Sequence, residues 1–228
     1  MPSRPRPRAT RPNTAAVARR RFPRTLAGPF ILLAIIVLVV AGWLFVAHPR
    51  QAASGPIVLI SIDTLRADHL PAYGYRGVTT PAIDALAADG VLFERAYAHA
   101  PQTLPSHASI LSGQLPFEHG VRDNVGFTVK AGQRLLAGML QGRGYATGGF
   151  ASSFILRKET GIGQGFQVYD ADTPPMSPNA TFGTVRRDGA QTLDLAERWL
   201  DKQTSPRFFL FVHFYEPHRP YRPPERFA

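Results

Sequence analysis

The sequence predicts an α/β fold: a mainly parallel sheet flanked by helices and preceded by one transmembrane helix. Apolar runs of strand length, such as Ile57-Val-Leu-Ile-Ser-Ile62, alternate with segments of helical periodicity, the pattern of βα units on a parallel sheet. An uncharged stretch from Pro29 to Ala47 is long enough to cross a bilayer as a helix. The chain has 228 residues, 44% of them hydrophobic, which is ample for one core.

Residues 1–27 are rich in Arg and Pro and read as a disordered basic tail. The net charge of +10 and pI of 10.6 suggest a nucleic-acid binder at first sight. Arg4, Arg6, Arg8, Arg11, Arg19, Arg20, Arg21 and Arg24 all lie in that tail, however. Setting those eight aside leaves 18 basic residues against 16 acidic, so no nucleic-acid partner is expected of the rest. Residues 28–47 form the predicted span. Arginines before it and Trp43 near its far end orient the N-terminus to the cytoplasm, in a single-pass protein of the cytoplasmic membrane whose remainder lies outside, periplasmic or extracellular. A cleaved signal peptide is the competing reading. Its apolar region is shorter, about 7–15 residues, and His48-Pro-Arg-Gln-Ala-Ala-Ser54 makes a poor cleavage site. Residues 48–55 are a linker and 56–228 the soluble region. The absence of cysteine excludes a disulfide framework.

In the soluble region, Ile57–Ile62 is a buried parallel strand. A helix follows from Thr80 to Asp89, with Thr80 as cap, Pro81 at its first position and Gly90 past its end. Val91 to Ala98 is predicted as the next strand. Thr103-Leu-Pro-Ser-His-Ala-Ser-Ile-Leu-Ser-Gly113 reads as a loop turning at Pro105 into a helix that buries Ile110 and Leu111. Leu135 to Gln141 is helical and Tyr145 to Ala151 a strand. Leu193, Ala196, Trp199 and Leu200 give Val185 to Lys202 an amphipathic face, and Arg207 to Phe214 is the last buried strand. No internal repeat is present.

Ligands of open α/β sheets sit beyond the carboxyl ends of the strands. Asp63 follows the first strand directly and points a carboxylate there; alone, it reads equally as a turn cap. Thr103 and His107 sit at a helix start, where free N–H groups and the positive dipole end favour anions. A plain N-cap is the simpler reading of Thr103. Asn124, in His119-Gly-Val-Arg-Asp-Asn124, is a turn residue or a polar site residue. His218 follows the last strand in the Pro-stiffened loop Glu216-Pro-His-Arg-Pro-Tyr-Arg-Pro-Pro224. His213, inside that strand, reads as a satisfied core histidine. Arg66 and Asp68 read as a local charge pair, and His48, His69 and His99 have no motif around them.

Taken jointly and in order, Ile57–Asp68, Thr103–Gly113 and Phe208–His218 resemble the N-terminal half of the sulfatase family, within the alkaline-phosphatase superfamily, from about Pro56 onward. The resemblance implies an ester hydrolase in which Thr103 holds the nucleophile position. Asp63, with Thr103, would bind a divalent metal ion: calcium, zinc or manganese. His107 takes the place of the supporting Arg of the signature, Asn124 falls near the substrate oxyanion, and His218 contacts the transferred group or leaving oxygen. The substrate would be a sulfate or phosphate ester.

Several positions depart from the family pattern. Thr64 stands where a second Asp is usual, which removes a carboxylate from the metal site and makes zinc or manganese easier to hold relative to calcium. Ser152 and Phe154 stand where a Lys and a His bind sulfate. Thr103 cannot become formylglycine, which arises from Cys or Ser. A Thr-dependent phosphodiesterase or phosphoethanolamine/phosphoglycerol transferase is therefore a second reading, and a non-catalytic anchored binding or scaffold protein a third. Family members are much longer. Met1–Ala228 is thus expected to be an incomplete N-terminal piece, without appreciable turnover of an aryl sulfate or phosphate ester by itself.

Overall fold

The computed structural model describes residues 27–47, 55–181, 184–221, 223 and 225. The basic tail and most of the linker expected from the sequence lie outside these. Chain contacts divide the protein into two units, residues 1–52 and 53–228. The first contains one helix, α1 (Ala27–Ala47), 21 residues without a charged side chain. Among the described residues no helix is long and apolar enough to cross a membrane. The span expected over 28–47 therefore rests on the sequence.

The second unit runs β1 (Ile57–Ile62), α2 (Pro81–Asp89), α3 (Thr103–Ser112), α4 (Pro116–His119), α5 (Leu136–Gln141), β2 (Ala146–Ala151), β3 (Val168–Asp170), α6 (Gly189–Leu200) and β4 (Phe208–Phe214). The four strands form one sheet in the order β1-β4-β2-β3, and every pairing is parallel. The predicted α/β class with a flanked parallel sheet is thus what the chain adopts.

Side chains alternate across a strand, and β4 shows what each face packs against. Phe209 and Phe211 face α3 and α5, where Leu104, Leu111, Leu135 and Leu140 close the larger core. Leu210 and Val212 point the other way and meet Ala196, Trp199 and Leu200 of α6. Gly148 of β2 makes the second layer possible: a Cβ there would stand 2.7 Å from a carbon of the Trp199 indole. Asp188 caps α6 by accepting from the Ala190 N–H at 2.8 Å, so this helix begins four residues later than its apolar pattern suggested. A buried Arg187 ties the layers together. Its guanidinium donates to Asp170 Oδ1 at 2.5 Å, to the Ala151 carbonyl at 3.0 Å and to Thr192 Oγ1 at 3.0 Å.

Three expectations are corrected. Ile57–Ile62 is a parallel strand but not a buried one: among the described residues it pairs only with β4, and at this edge Ile57, Val58 and Ile60 are exposed. Val91–Ala98 is not a strand: Val91, Phe93 and Tyr97 are exposed, and strand propensity without a neighbouring edge to pair with does not make a sheet. In α3 the buried face is Leu104, Ala108 and Leu111, whereas Ile110 is exposed. The helix starts at Thr103, two residues before the expected turn. Pro105 then falls in its first turn, where a missing N–H costs no hydrogen bond.

Candidate active site

Parallel pairing sets Ser61 of β1 beside His213 of β4, and the period of two puts Asp63 on the same face, under the start of α3. There the Thr103 hydroxyl donates to Asp63 Oδ2 at 3.1 Å, across 40 residues of sequence. Gln102 rather than Thr103 occupies the N-cap, and no side-chain cap bond is made. The hydroxyl is therefore turned to the carboxylate and not to its own helix. Asp63 enters the site through a strained turn, since Thr64, a β-branched residue, takes φ 55°.

His107 is buried one turn into α3. Its Nδ1 lies 2.7 Å from the Thr103 carbonyl, which can only accept, so Nδ1 carries the proton. Nε2 is left to accept from the Ser61 hydroxyl at 2.8 Å. The imidazole thus fixes the backbone of Thr103 and makes no bond to its hydroxyl. Burial, followed by the neighbouring His213, pushes the His107 pKa down to about 4, against smaller opposing effects of the Thr103 carbonyl and Asp63. For Asp63, burial raises the pKa, but His213, His107 and the Thr103 hydroxyl together outweigh it and leave a net lowering. At neutral pH Asp63 is therefore ionised and His107 neutral.

Asn124 also reaches the helix start, its Oδ1 accepting from the Leu104 N–H at 2.8 Å. That bond changes the expected anion site. Leu104 is already satisfied, Pro105 has no N–H, and the Ser106 N–H bonds the Gln102 carbonyl. Little of a backbone cradle remains, so the dipole and the Asn124 amide NH2 are what an anion would meet. Asn124 also borders a cavity of about 330 Å³ that reaches Arg157 and Thr160.

The described contacts of His218 lie within its own loop. It stacks on Tyr215 with ring centroids 4.4 Å apart, its Nδ1 donating to the Arg219 carbonyl at 2.6 Å. The Tyr215 hydroxyl, pushed up to about 12 by burial and then by the Asp63 charge, faces His218 Nε2 at 3.5 Å. No described hydrogen bond or ion pair joins His218 to Asp63 or Thr103. Beside this loop opens a cleft of about 800 Å³ walled by Thr64, Leu65, Val78, Pro217 and Tyr221.

Sequence reasoning missed His213. It is fully buried, its Nε2 is 3.4 Å from Asp63 Oδ2, and its ring meets that of His107 edge-on at 4.9 Å. At 3.4 Å the contact with Asp63 is too long for a well-formed hydrogen bond, though it still lowers the Asp63 pKa. Among the described residues neither ring nitrogen makes an aligned one, so it is not the satisfied core histidine expected. The available signal was its position: His213 lies five residues before His218, near the carboxyl end of the predicted last strand, where such sheets bind ligands. The local Arg66–Asp68 pair does form, at 2.6 Å and exposed.

The sequence model of the Sulfatase family matches residues 56–228. The chain belongs to the sulfatase family. It is 34% identical over 131 residues to steryl-sulfatase of Mus musculus, a match covering 51% of this chain and 21% of that protein. To the N-sulphoglucosamine sulphohydrolase of Homo sapiens it is 30% identical over 152 residues, 65% of this chain and 29% of the relative. Among solved structures it is similar to the phosphonate monoester hydrolase of Agrobacterium radiobacter, with 27% identity, a TM-score of 0.59, and 75% of this chain and 42% of that one covered. In each case the chain covers less than half of the relative's length.

Within this sulfatase-family chain, the two residues standing where a Lys and a His were expected are structural. Ser152 is buried against Thr192, Oγ to Oγ1 at 2.7 Å, and Phe154 lies under the Arg157 guanidinium at 4.3 Å. Ser109 is no base-activated nucleophile either. The Val121 N–H donates to His119 Nδ1, so Nε2 must donate to Ser109 Oγ.

The buried His107 predicts a pH dependence of stability. Unfolded, its imidazole takes up a proton near pH 6.5; folded, it does so only near 4. The unfolded chain binds more protons between those values, so stability falls as pH drops from 6.5 to 4, by up to about 3 kcal/mol. Urea unfolding of the metal-free chain at pH 7 and 4.5 measures it. His107→Gln should flatten the slope; a slope equal to wild type would remove the assignment.

Proposed function

We propose that the chain supplies the nucleophile and part of the metal site of a hydrolase of sulfate or phosphate esters, anchored to the cytoplasmic membrane through α1. The contact of Thr103 Oγ1 with Asp63 Oδ2 at 3.1 Å carries this reading. It turns a hydroxyl away from helix capping and toward an ionised carboxylate at the carboxyl ends of parallel strands, where such sheets bind ligands. The uncharged run of α1 and the arginines before it support the anchor.

The family implies a divalent metal. Asp63 Oδ2 and Thr103 Oγ1 converge well enough to share one ion, yet among the described residues no group of three His, Asp or Glu side chains is placed to hold it. These residues fit as part of a coordination shell. A cation held by Asp63 and Thr103 would lower the hydroxyl pKa and screen the anionic ester. Thr103 Oγ, its proton lost to solvent, would attack the sulfur or phosphorus while the bond to the alcohol oxygen breaks and that oxygen takes a proton from water. Asn124 offers its NH2 to the charge that develops, and water releases the group from Thr103. The 800 Å³ cleft beside Thr64 and Pro217 is of a size to hold the organic part.

A threonine nucleophile favours phosphoryl transfer as the second reading, and the likeness to a phosphonate monoester hydrolase supports it. In whichever form of the protein turns over an ester, the ratio of p-nitrophenyl sulfate turnover to that of the phosphate mono- and diesters decides between the two. A folded protein that binds the metal but turns over none of them in any form would leave the scaffold reading. Asp63→Asn is expected to weaken metal binding and abolish turnover, with partial recovery at high metal concentration. Titration calorimetry showing unchanged metal affinity in Asp63→Asn would remove Asp63 from the site.

A further inference from the structure

We propose that His213 Nε2 is a ligand of the same metal ion as Asp63 and Thr103, and that this imidazole biases the site toward zinc over calcium. The inference rests on the reading of Asp63 and Thr103 as a metal-holding pair and adds to it a nitrogen donor.

Burial is the first ground. His213 is 0% exposed, in the centre of a parallel sheet, and among the described residues neither ring nitrogen makes an aligned hydrogen bond, the one polar contact being that with Asp63. Folded proteins rarely bury a polar side chain in that state without a water or an ion completing it. Other polar neighbours are already committed: Ser61 Oγ to His107 Nε2, and His107 Nδ1 to the Thr103 carbonyl. The strand register holds His213 beside Ser61, so it cannot turn to the other face without breaking the sheet.

Geometry is the second. His213 Nε2 and Asp63 Oδ2 are 3.4 Å apart without an aligned hydrogen bond between them. An oxygen and a nitrogen each 2.0–2.1 Å from one tetrahedral ion stand about 3.3 Å from each other. Thr103 Oγ1 approaches the same carboxylate oxygen at 3.1 Å. Asp63 Oδ2, just past the end of β1, thus has a donor from β4 and another from α3, each at the spacing of two ligands on one ion.

Donor chemistry gives the selectivity. Calcium and magnesium take oxygen ligands, whereas imidazole suits zinc and its softer neighbours. Thr64, at the strained turn after Asp63, brings no carboxylate to offset that preference.

The experiment uses the untagged full chain in detergent micelles, labelled with 15N-histidine. Zinc is expected to shift one histidine Nε2 resonance into the metal-bound range, and His213→Gln should delete that shifted signal. Calorimetry should show zinc affinity falling in His213→Gln by more than the roughly 10–100-fold that outer-shell partners cost, with calcium affinity unchanged. Asp63→Asn should weaken both cations. His213→Asn repeats the test should His213→Gln fail to fold, and the wild-type resonance requires no variant. Zinc bound to wild type with no shifted His213 resonance, and with equal affinity in His213→Gln, would overturn the ligand and leave the Asp63–Thr103 site standing. Failure of wild type to bind either cation would overturn that site and this inference together.

Discussion

Thr103→Ala is expected to reduce the chemical step by several orders of magnitude, in whichever form of the protein turns over an aryl sulfate or phosphate ester. Thr103→Ser keeps a hydroxyl and should retain a fraction of the rate. The structure sharpens this test, because Thr103 makes no capping bond whose loss would complicate the result: its hydroxyl bonds only Asp63 among the described contacts. Stability should therefore change little while turnover collapses. Single-turnover kinetics on a folded, metal-loaded Thr103→Ala protein measures the chemical step directly. Wild-type rates there would end the nucleophile assignment.

The second large effect is on stability, at Arg187. Its guanidinium joins β2, β3 and α6 through Asp170, the Ala151 carbonyl and Thr192. Removing one partner of a buried ion pair leaves the other uncompensated, at a cost of about 3–5 kcal/mol. Asp170 keeps some access to water, its side chain 29% exposed, so Arg187→Met is expected near the lower end of that range. Arg187→Lys should fall between, since an ammonium cannot reproduce the planar fork. Urea midpoints of the three proteins decide it, and a loss within about 0.5 kcal/mol, the level of an ordinary surface substitution, would show that the network carries no net stability.

How much of this was legible in the sequence depended on how local the cause was. Ile57–Ile62 and Phe208–Phe214 were readable as strands because both are short, nearly unbroken runs of β-branched, aliphatic and aromatic residues. Only Phe208–Phe214 is buried on both faces, whereas Ile57–Ile62 lies at the sheet edge with Ile57, Val58 and Ile60 exposed. Val91–Ala98 carried the same propensity and failed, because pairing needs a neighbour that no local pattern encodes. Asp63 and Thr103 could be singled out by position, after a strand and at a helix start. Their contact could not, being 40 residues apart and dependent on how α3 lies over β1.

The sequence by itself determined the α/β class, the order of its main strands and helices, the uncharged N-terminal run and the family motifs, since each follows from period, composition or spacing along the chain. Only the tertiary structure decided which side chains share the site. Register set Ser61 and His213 side by side and brought to Asp63 an imidazole with no aligned hydrogen bond among the described residues. Packing of α3 gave the Leu104 N–H to Asn124 and the Thr103 carbonyl to His107, leaving the Thr103 hydroxyl for the carboxylate. Those outcomes hang on distances between elements far apart in sequence, and such distances exist only once the sheet and its helices have packed.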